Sequence, residues 1–252
     1  MCGISGIITR GTMARARQRV SAMVRALVHR GPDGQWLWQD SAAPIVLGHN
    51  RLAILDRSNA GAQPMLSSSG RFVVNFNGEI YNFRRLRSEL DQGACGPRMW
   101  RSHGDTEVLV EAIEAFGVEE AIAKVEGMFA IGVWDRAERR LSLIRDRVGE
   151  KPLYYGTIDD DFAFASELKA IRSAFGERLL EINASVLSEY LRAGHIPAPH
   201  TIYRRVLKVP AGHIVSIDVA SGSGSILVSK PRCFWAIRSV TELRGPSGPR
   251  TS

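Results

Sequence analysis

Residues 1–6 read MCGISG, and the expected fold is built outward from this stretch. Removal of Met1 is favoured before a small side chain, and it would make Cys2 the N-terminal residue. Cys2 would then carry a thiol with an ordinary pKa of about 8.5 beside an α-amine with a pKa of about 7.7–8.0. Such groups exchange a proton near neutral pH without a histidine, so the thiol has its own base. The alternative is that Cys2 is a small buried residue in the apolar strand predicted over residues 2–9.

Composition predicts an ordinary globular protein. The chain has 252 residues, of which 44% are hydrophobic and 23% charged, enough for the core of one large domain or two small ones. No apolar run approaches the roughly 18 residues of a membrane span, and no signal peptide opens the chain. The cysteines, Cys2, Cys95 and Cys233, lie far apart without a CxxC pair. We therefore expect a cytoplasmic protein with reduced thiols, no metal site and no membrane contact.

The formal charge of +7 raises the question of nucleic-acid binding. The basic residues are scattered among acids and form no Lys/Arg block interleaved with aromatic residues, so we predict no nucleic-acid partner. The first 32 residues contain arginines but no acid, as mitochondrial transit peptides do. Cleavage there would discard Cys2, which argues against a transit peptide.

Apolar periodicity predicts helices on either side of a strand-rich middle. Apolar residues recur every three or four positions over 13–27, and this helix is expected to end at HRGPDG, with Gly31 left-handed and Pro32 blocking continuation. Further helices are predicted over 84–90, 103–116 and 167–175. The buried strands MFAIGVW and LSLIR flank a polar turn and predict a hairpin. A strand is predicted at FAFAS, and one helix with short strands over 187–219.

Several polar residues in these elements have two interpretations. The polar triplet at 49–51 interrupts an apolar run, so it belongs to an edge strand in water or directs Arg51 into a pocket to bind a carboxylate. Asn77 and Gly78 follow the strand FVVNF, and they form either a hairpin turn or an oxyanion hole made of a side-chain amide and a backbone N–H. For Asp105, at the start of the helix predicted over 103–116, a role as helix cap and nothing more is one interpretation.

Eight motifs, in this order and at this spacing, resemble the N-terminal glutaminase domain of glutamine-hydrolysing asparagine synthetases. They are MCGISG, HRGPDG, GHNRLAILD, NFNGEIYN, GDTEV, MFAIGVWD, RDRVGEKPLYY and ASELKA. The run LSEYLRAGHIPAPHTIYRRVLKVPAGHIVSID resembles the segment that leads to the synthetase half. The resemblance implies a class II glutamine amidotransferase with an α+β fold, the four-layer αββα sandwich of the N-terminal nucleophile hydrolases.

The resemblance also implies catalytic roles. Cys2, exposed as the N-terminal residue, would attack the γ-amide carbon of L-glutamine, and its α-amine would act as base and then protonate the departing ammonia. Asn77, through its side-chain amide, and Gly78, through its backbone N–H, would hold the oxyanion. Water would then hydrolyse the γ-glutamyl thioester to glutamate.

Substrate-binding roles follow from the same resemblance. Arg51 would bind the α-carboxylate of glutamine. Asp105, together with Glu79, would bind the α-ammonium group. The free amino acid would thus be recognised as a zwitterion.

The sequence lacks the SGGxDS-type loop of the synthetase half and any Walker-type glycine loop. No cofactor is therefore expected on this chain, and ATP and Mg²⁺ are expected only on a synthetase domain outside it. The predicted organisation is a glutaminase domain over 2–186, the end of that domain and a connector over 187–235, and a disordered tail over 236–252.

The expected partners are L-glutamine, a separate ATP-dependent synthetase subunit and a second copy of the chain in a homodimer. The ammonia would then serve the amidation of aspartate. Two alternatives stay open at this point. The acceptor can be another carboxylate, because the glutaminase half would look the same. The chain can also be a truncated, non-catalytic relic or an assembly module.

Overall fold

Two antiparallel sheets face each other in the computed structural model, which describes residues 1–93, 96–177, 180–220 and 224–237. The first sheet contains, in chain order, β1 (Gly3–Ile8), β2 (Gly34–Gln39), β3 (Ile45–Arg51), β8 (Tyr154–Ile158), β9 (Asp161–Ala165) and β10 (Val206–Lys208). Its spatial order is β10-β8-β9-β1-β3-β2. Cys95 and the tail from residue 238 onward lie outside the described residues.

The second sheet contains β4 (Met65–Leu66), β5 (Phe72–Ile80), β6 (Gly127–Asp135), β7 (Arg140–Arg145), β11 (His213–Val219) and β12 (Ile226–Val228). Its order is β12-β11-β7-β6-β5-β4, and β13 (Arg232–Cys233) also pairs with β11. The hairpin predicted from MFAIGVW and LSLIR is confirmed as β6 and β7.

Helices cover the outer face of each sheet. They are α1 (Met13–Ala26), α2 (Phe83–Asp91), α3 (Asp105–Phe116), α4 (Val118–Lys124) and α5 (Leu168–Phe175). A further helix, α6 (Leu187–Ala193), has no buried residue. Val20 and Met23 of α1 share a buried cluster with residues of α5 and the first sheet. Val108 and Ile113 of α3 share another with α2, α4 and the second sheet. The predicted helices are thus confirmed within a few residues at their ends.

Apolar side chains fill the layer between the sheets. Ile4, Leu47, Trp134 and Phe164 are fully buried there and belong to one cluster. Burying such side chains contributes about 1.5–3 kcal/mol each, so the two sheets are held together mainly by this layer. The arrangement of helix, sheet, sheet and helix confirms the predicted α+β sandwich.

The segment after residue 186 is part of the sandwich. β10 extends the edge of the first sheet beside β8, and β11 extends the second sheet beside β7. The predicted division of the chain at residue 186 and the predicted tail over 236–252 stay predictions. No helix within the described residues is long and apolar enough to span a membrane.

Two local interpretations of polar strand residues are wrong. The triplet at 49–51 does not lie on an edge strand, because β3 runs between β1 and β2 and all three residues are buried. Asn77 and Gly78 do not form a hairpin turn, because β5 continues to Ile80 and pairs with β6 throughout. A continuous ladder of backbone hydrogen bonds outweighs the local turn preference of Asn-Gly.

The first helix also ends earlier than predicted. α1 stops at Ala26, and the backbone N–H of Leu27 donates to the carbonyls of Met23 and Val24. Gly31 is not left-handed. It is required for a different reason, since a Cβ there would overlap the backbone of Asn50 on β3.

Candidate active site

The strand alternation brings the predicted site residues to one end of the layer between the sheets. Ile4 on β1 and Leu47 on β3 point into this layer, so alternation directs Cys2 and Arg51 the same way. Antiparallel pairing of β1 with β3 places these two residues at the same end of the first sheet. Asn77 reaches the same space from β5 of the second sheet.

A pocket opens at this end of the sandwich. It is lined by all six site residues taken from the sequence, Cys2, Arg51, Asn77, Gly78, Glu79 and Asp105. They come from four separate stretches of chain. The fold thus brings residues that are distant in sequence to one pocket.

The thiol of Cys2 is held against the chain that follows β3. The backbone N–H of Leu52 donates to Sγ over 3.4 Å, and Sγ lies 3.7 Å from the Leu52 carbonyl oxygen. Burial raises the pKa of the thiol, while the contact with Leu52, the N-terminal amine and Arg51 act in the opposite direction. The resting thiol is therefore protonated at neutral pH and needs a base to react.

The N-terminal amine lies among cations. In the full chain this amine belongs to Met1, and its pKa is lowered by burial and, more weakly, by the nearby charges of Arg30 and Lys151. Asp33, and Cys2 when its thiol is ionised, oppose this effect. A lowered pKa keeps a larger fraction of the amine neutral at pH 7, and only the neutral amine accepts a proton.

Arg30 does not line the pocket but contacts the residue that carries the thiol, and the sequence did not indicate this contact. It is buried, and its Nε donates to the carbonyl of Cys2 over 2.9 Å while Nη1 donates to Glu167 over 2.9 Å. Burial opposes ionisation of Glu167, but hydrogen bonds from Arg30, His29 and Lys169 outweigh it and lower its pKa to about 2. This ion pair fixes the backbone on which the thiol is carried.

Asn77 has an unused hydrogen-bond donor. Its side chain is 1% exposed, and Nδ2 has no hydrogen-bond partner among the described residues. A buried donor without any partner costs about 1–3 kcal/mol, so Nδ2 is available to a water or to a ligand oxygen. Gly78 follows directly, and a Cβ there would overlap the carbonyl oxygen of Met128 on β6. Only glycine fits this close approach of β5 to β6.

Arg51 is 8% exposed and lies at the end of β3. Its Nη1 donates to the carbonyl of Ser58 over 2.7 Å, and Nη2 donates to the carbonyl of Asp56. These bonds fold the loop over 52–62 onto the guanidinium group. Since arginine has five N–H donors in a planar fork, others are left for a carboxylate in the pocket.

Asp105 is the first residue of α3, and the helix cap is Gly104, so Asp105 is not itself the cap. Its Oδ2 accepts a hydrogen bond from the backbone N–H of Ile80 over 2.8 Å. Burial raises the pKa of this carboxyl to about 6, and the charge of Glu79 adds to the rise against several backbone hydrogen bonds. The pocket thus has a cationic side at Arg51 and an acidic side at Asp105 and Glu79.

The pocket wall includes further polar residues that the sequence did not single out. Gln63 accepts from the backbone N–H of Phe76 over 2.7 Å and donates to Thr106 over 3.3 Å, which joins the loop, β5 and α3. Lys151 is 7% exposed, and its Nζ lies 3.5 Å from the sulfur of Met1. It follows Asp146, which accepts hydrogen bonds from the backbone N–H groups of residues 148–151. The motif RDRVGEKPLYY contains both Asp146 and Lys151, and it is the sequence signal that could have identified Lys151 as a pocket residue.

The described part of the chain contains no group of three or more His, Cys, Asp or Glu side chains that could hold a metal ion.

Fold and pocket together define the class to which the chain belongs. The family model for the glutamine amidotransferase domain matches residues 1–225, and the chain belongs to this family. It is an enzyme domain of the glutamine amidotransferase type, homologous to the glutaminase part of asparagine synthetases. The resemblance drawn from the eight motifs is thereby confirmed.

Named relatives refine this assignment. The chain is 35% identical over 215 residues to asparagine synthetase [glutamine-hydrolyzing] 1 of Bacillus subtilis, covering 84% of this chain and 33% of that protein. It is 32% identical over 236 residues to the putative asparagine synthetase [glutamine-hydrolyzing] 2 of Methanocaldococcus jannaschii, covering 87% and 44% respectively. The chain thus spans less than half the length of these relatives.

Solved structures support the fold. Glutamine phosphoribosylpyrophosphate amidotransferase from B. subtilis, complexed with ADP and GMP, has a TM-score of 0.66 and 19% identity, covering 93% of this chain and 49% of that one. A second structure, described as the allosteric regulatory enzyme of purine biosynthesis, has a TM-score of 0.65 and 20% identity over the same shares. At such identities the likeness concerns the fold alone, which is of the N-terminal nucleophile hydrolase type.

Proposed function

We propose that the chain hydrolyses L-glutamine to glutamate and ammonia through a thioester on Cys2. One observation carries this proposal. The Cys2 thiol lies in the same pocket as Asn77, whose Nδ2 has no hydrogen-bond partner among the described residues. A nucleophile and a free buried donor, placed together, are what an acyl-transfer reaction requires.

In the first step, Met1 has been removed and the neutral α-amine of Cys2 takes the thiol proton. Sγ attacks the γ-amide carbon of glutamine, and the carbonyl electrons move to oxygen. Asn77 Nδ2 and the backbone N–H of Gly78 donate to this oxyanion. Each such donor contributes about 2.7–4 kcal/mol to the transition state in other acyl-transfer enzymes.

In the second step, the C–N bond breaks and the protonated α-amine gives its proton to the leaving nitrogen, which departs as ammonia. The γ-glutamyl group remains on Sγ as a thioester. The α-amine, neutral again, deprotonates a water that attacks the thioester carbon. The thiolate leaves and recovers the proton, so that glutamate is released and Cys2 is restored.

Substrate recognition uses the two charged sides of the pocket. Arg51 binds the α-carboxylate, and Asp105 with Glu79 binds the α-ammonium group. An incoming ammonium favours the ionised form of Asp105, against the burial that raises its pKa. Glutamine then stabilises the charged state that recognises it.

The ammonia serves ATP-dependent amidation of aspartate on a synthetase domain that is not in this chain, and that domain would also hold ATP and Mg²⁺. This part of the proposal is supported by the names of the relatives, of which the chain spans only part. It makes the complete system a ligase of amino-acid biosynthesis, with a cytoplasmic location. A separate synthetase subunit and a homodimer stay predictions from the resemblance.

The test combines intact mass with active-site labelling. The purified chain is incubated with a diazo-ketone analogue of glutamine, and the labelled peptide is mapped. We expect loss of Met1 and one adduct on Cys2, with the same result in a Cys233→Ser control, whose thiol is exposed and distant in sequence. Retention of Met1, or no adduct after its removal, would favour the relic instead.

A further inference from the structure

The strand that carries Asn77 is tied to the opposite sheet by one buried side chain. Asn75 lies on β5 and is fully buried. Its Nδ2 donates to the carbonyl of Ser5 on β1 over 3.2 Å and to the carbonyl of Gly48 on β3 over 3.0 Å. Its Oδ1 lies 2.8 Å from Nδ1 of His49 on β3. A single amide therefore contacts both strands of the first sheet that lead into the pocket.

These contacts determine the tautomer of His49. Because the amide nitrogen of Asn75 faces two carbonyl oxygens, its oxygen is the group that faces the ring, and His49 Nδ1 must donate to it. His49 Nε2 then carries no proton, and the part of the chain that the structure describes offers it no hydrogen-bond partner. Burial lowers the pKa of His49 to about 4, so the ring is neutral at physiological pH.

The position of this pair relative to the pocket gives it a functional meaning. Asn75 lies two residues before Asn77 on the same face of β5, and His49 lies two residues before Arg51 on the same face of β3. Two residues span about 7 Å along a strand. The hydrogen bonds therefore lie one step deeper than the pocket, between the strands that carry the oxyanion donor and those that carry the nucleophile.

The surrounding layer cannot fix this alignment, because apolar contacts between sheets are non-directional and tolerate small displacements. Hydrogen bonds require defined distances and angles. We propose that Asn75, held by His49, is a positioning residue that aligns the Asn77 side of the pocket with Cys2. The proposal rests on the proposed glutaminase function and adds a residue that acts through Asn77.

The first test compares Asn75→Leu and Asn75→Ala with Val73→Ala in the full chain. Val73 lies on the same face of β5, farther from the pocket, and is fully buried. We expect the Asn75 variants to lose about 10- to 100-fold in kcat for glutamine, since small misplacements of a reacting group have effects of this size. KM should change by less than about threefold, because charge attraction depends less on position. Val73→Ala should lower Tm while leaving kcat within about threefold.

The second test concerns His49. His49→Asn keeps an N–H donor near the place of Nδ1, whereas His49→Leu removes it. We expect His49→Asn to retain more kcat than His49→Leu at equal folded fraction. In the wild type, a long-range ¹H–¹⁵N spectrum should show neutral His49 with the proton on Nδ1, a signature that apolar packing alone would not produce.

The outcomes separate the two proposals. If the wild type forms the Cys2 adduct and hydrolyses glutamine while the Asn75 variants keep kcat, the positioning role is wrong and the glutaminase function stands. A proton on Nε2 of His49 in the wild type would overturn the positioning role even where a variant fails to fold. If the wild type forms no adduct, the glutaminase function fails and the positioning role fails with it. Alkylation of Cys2 by iodoacetamide, which needs no oxyanion hole, should be unchanged in the Asn75 variants.

Discussion

The two ends of the layer between the sheets use the same strands but differ in chemistry. At the far end, Ile8 on β1 and Ile45 on β3 are fully buried among other apolar side chains. At the near end, the same faces present Cys2 and Arg51, and β5 adds Asn77 with an unpartnered amide. The far end contributes to stability through apolar burial, while the near end presents polar groups that a ligand can bind.

This difference shows that the destabilising polar groups lie at the near end of the layer. Asn77 Nδ2 and His49 Nε2 are buried without hydrogen-bond partners in residues 1–93, 96–177, 180–220 and 224–237, and the buried carboxyl of Asp105 has a raised pKa. Each of these features destabilises the empty protein. Natural proteins accept such violations of packing rules mainly at functional sites. Changes at the near end should therefore act on activity, and changes at the far end on stability.

The largest effect is expected for Cys2→Ala. The variant removes the nucleophile, so glutamine hydrolysis should fall by more than about 10³-fold, as for the loss of other catalytic nucleophiles. Its Tm should stay within a few degrees of the wild type, because the thiol makes only weak contacts with Leu52. Steady-state ammonia release and thermal unfolding measure both properties. Full activity in this variant would refute the role of the thiol.

Asn77→Leu should come next. Loss of one oxyanion donor is expected to lower kcat by about 10²–10³-fold with little change in KM. Stability should be unchanged or higher, because the substitution removes a buried donor that has no partner. A destabilised variant with normal kcat would mean that Asn77 contributes to stability and not to catalysis, as expected for the far end.

The pH dependence should show a moderate effect. Only ionised Asp105 binds the substrate ammonium, and its pKa in the folded protein is about 6. We expect kcat/KM for glutamine to fall by about a further tenfold per pH unit below this value, in addition to the fall caused by protonation of the Cys2 α-amine. Asp105→Asn should lower kcat/KM and remove this additional fall, while the limb set by the α-amine remains.

The same carboxyl affects stability with a defined sign. Its folded pKa lies above the ordinary value of 3.8, so the stability that protonated Asp105 contributes is present below about pH 4 and lost as the pH rises through about 6. Asp105→Asn should reduce this loss in urea unfolding curves. A stability that rises over this interval because of Asp105 would contradict the assigned direction.

The smallest effect is expected at the far end. Ile8→Val removes one methylene from the apolar layer and should lower the free energy of unfolding by about 0.5–1.5 kcal/mol. The folded fraction should keep its kcat, since Ile8 lies far along β1 from the pocket. A clear loss of kcat at equal folded fraction would show that the two ends are coupled.

Through their family resemblance, the eight motifs predicted the sandwich and six of the residues that line the pocket. The individual helices and strands were predicted from local patterns alone. Helix positions followed from apolar spacing, because that spacing reflects burial on one face. The polar triplet at 49–51 and the Asn77-Gly78 pair were ambiguous, since the sequence does not show which strands lie beside β3 and β5. Pairing of β5 with β6 resolved the second case.

Other features depended on contacts distant in sequence. Arg30 reaches the backbone of Cys2 and the carboxylate of Glu167, and neither contact has a local signal. Asn75 was read only as part of an apolar strand. Its role became visible when its bonds to β1 and β3 were seen. Long-range polar pairing is therefore what single-sequence patterns leave open here.

The most direct test of the central claim is detection of the covalent intermediate. The chain is mixed with glutamine, quenched in acid within one turnover, and analysed by intact mass and peptide mapping. We expect a species without Met1 that has gained one γ-glutamyl group on Cys2, and the group should be absent from Cys2→Ala. A chain that releases ammonia without this species in rapid-quench samples, or that carries the group on another residue, would contradict the assignment of Cys2 as the nucleophile.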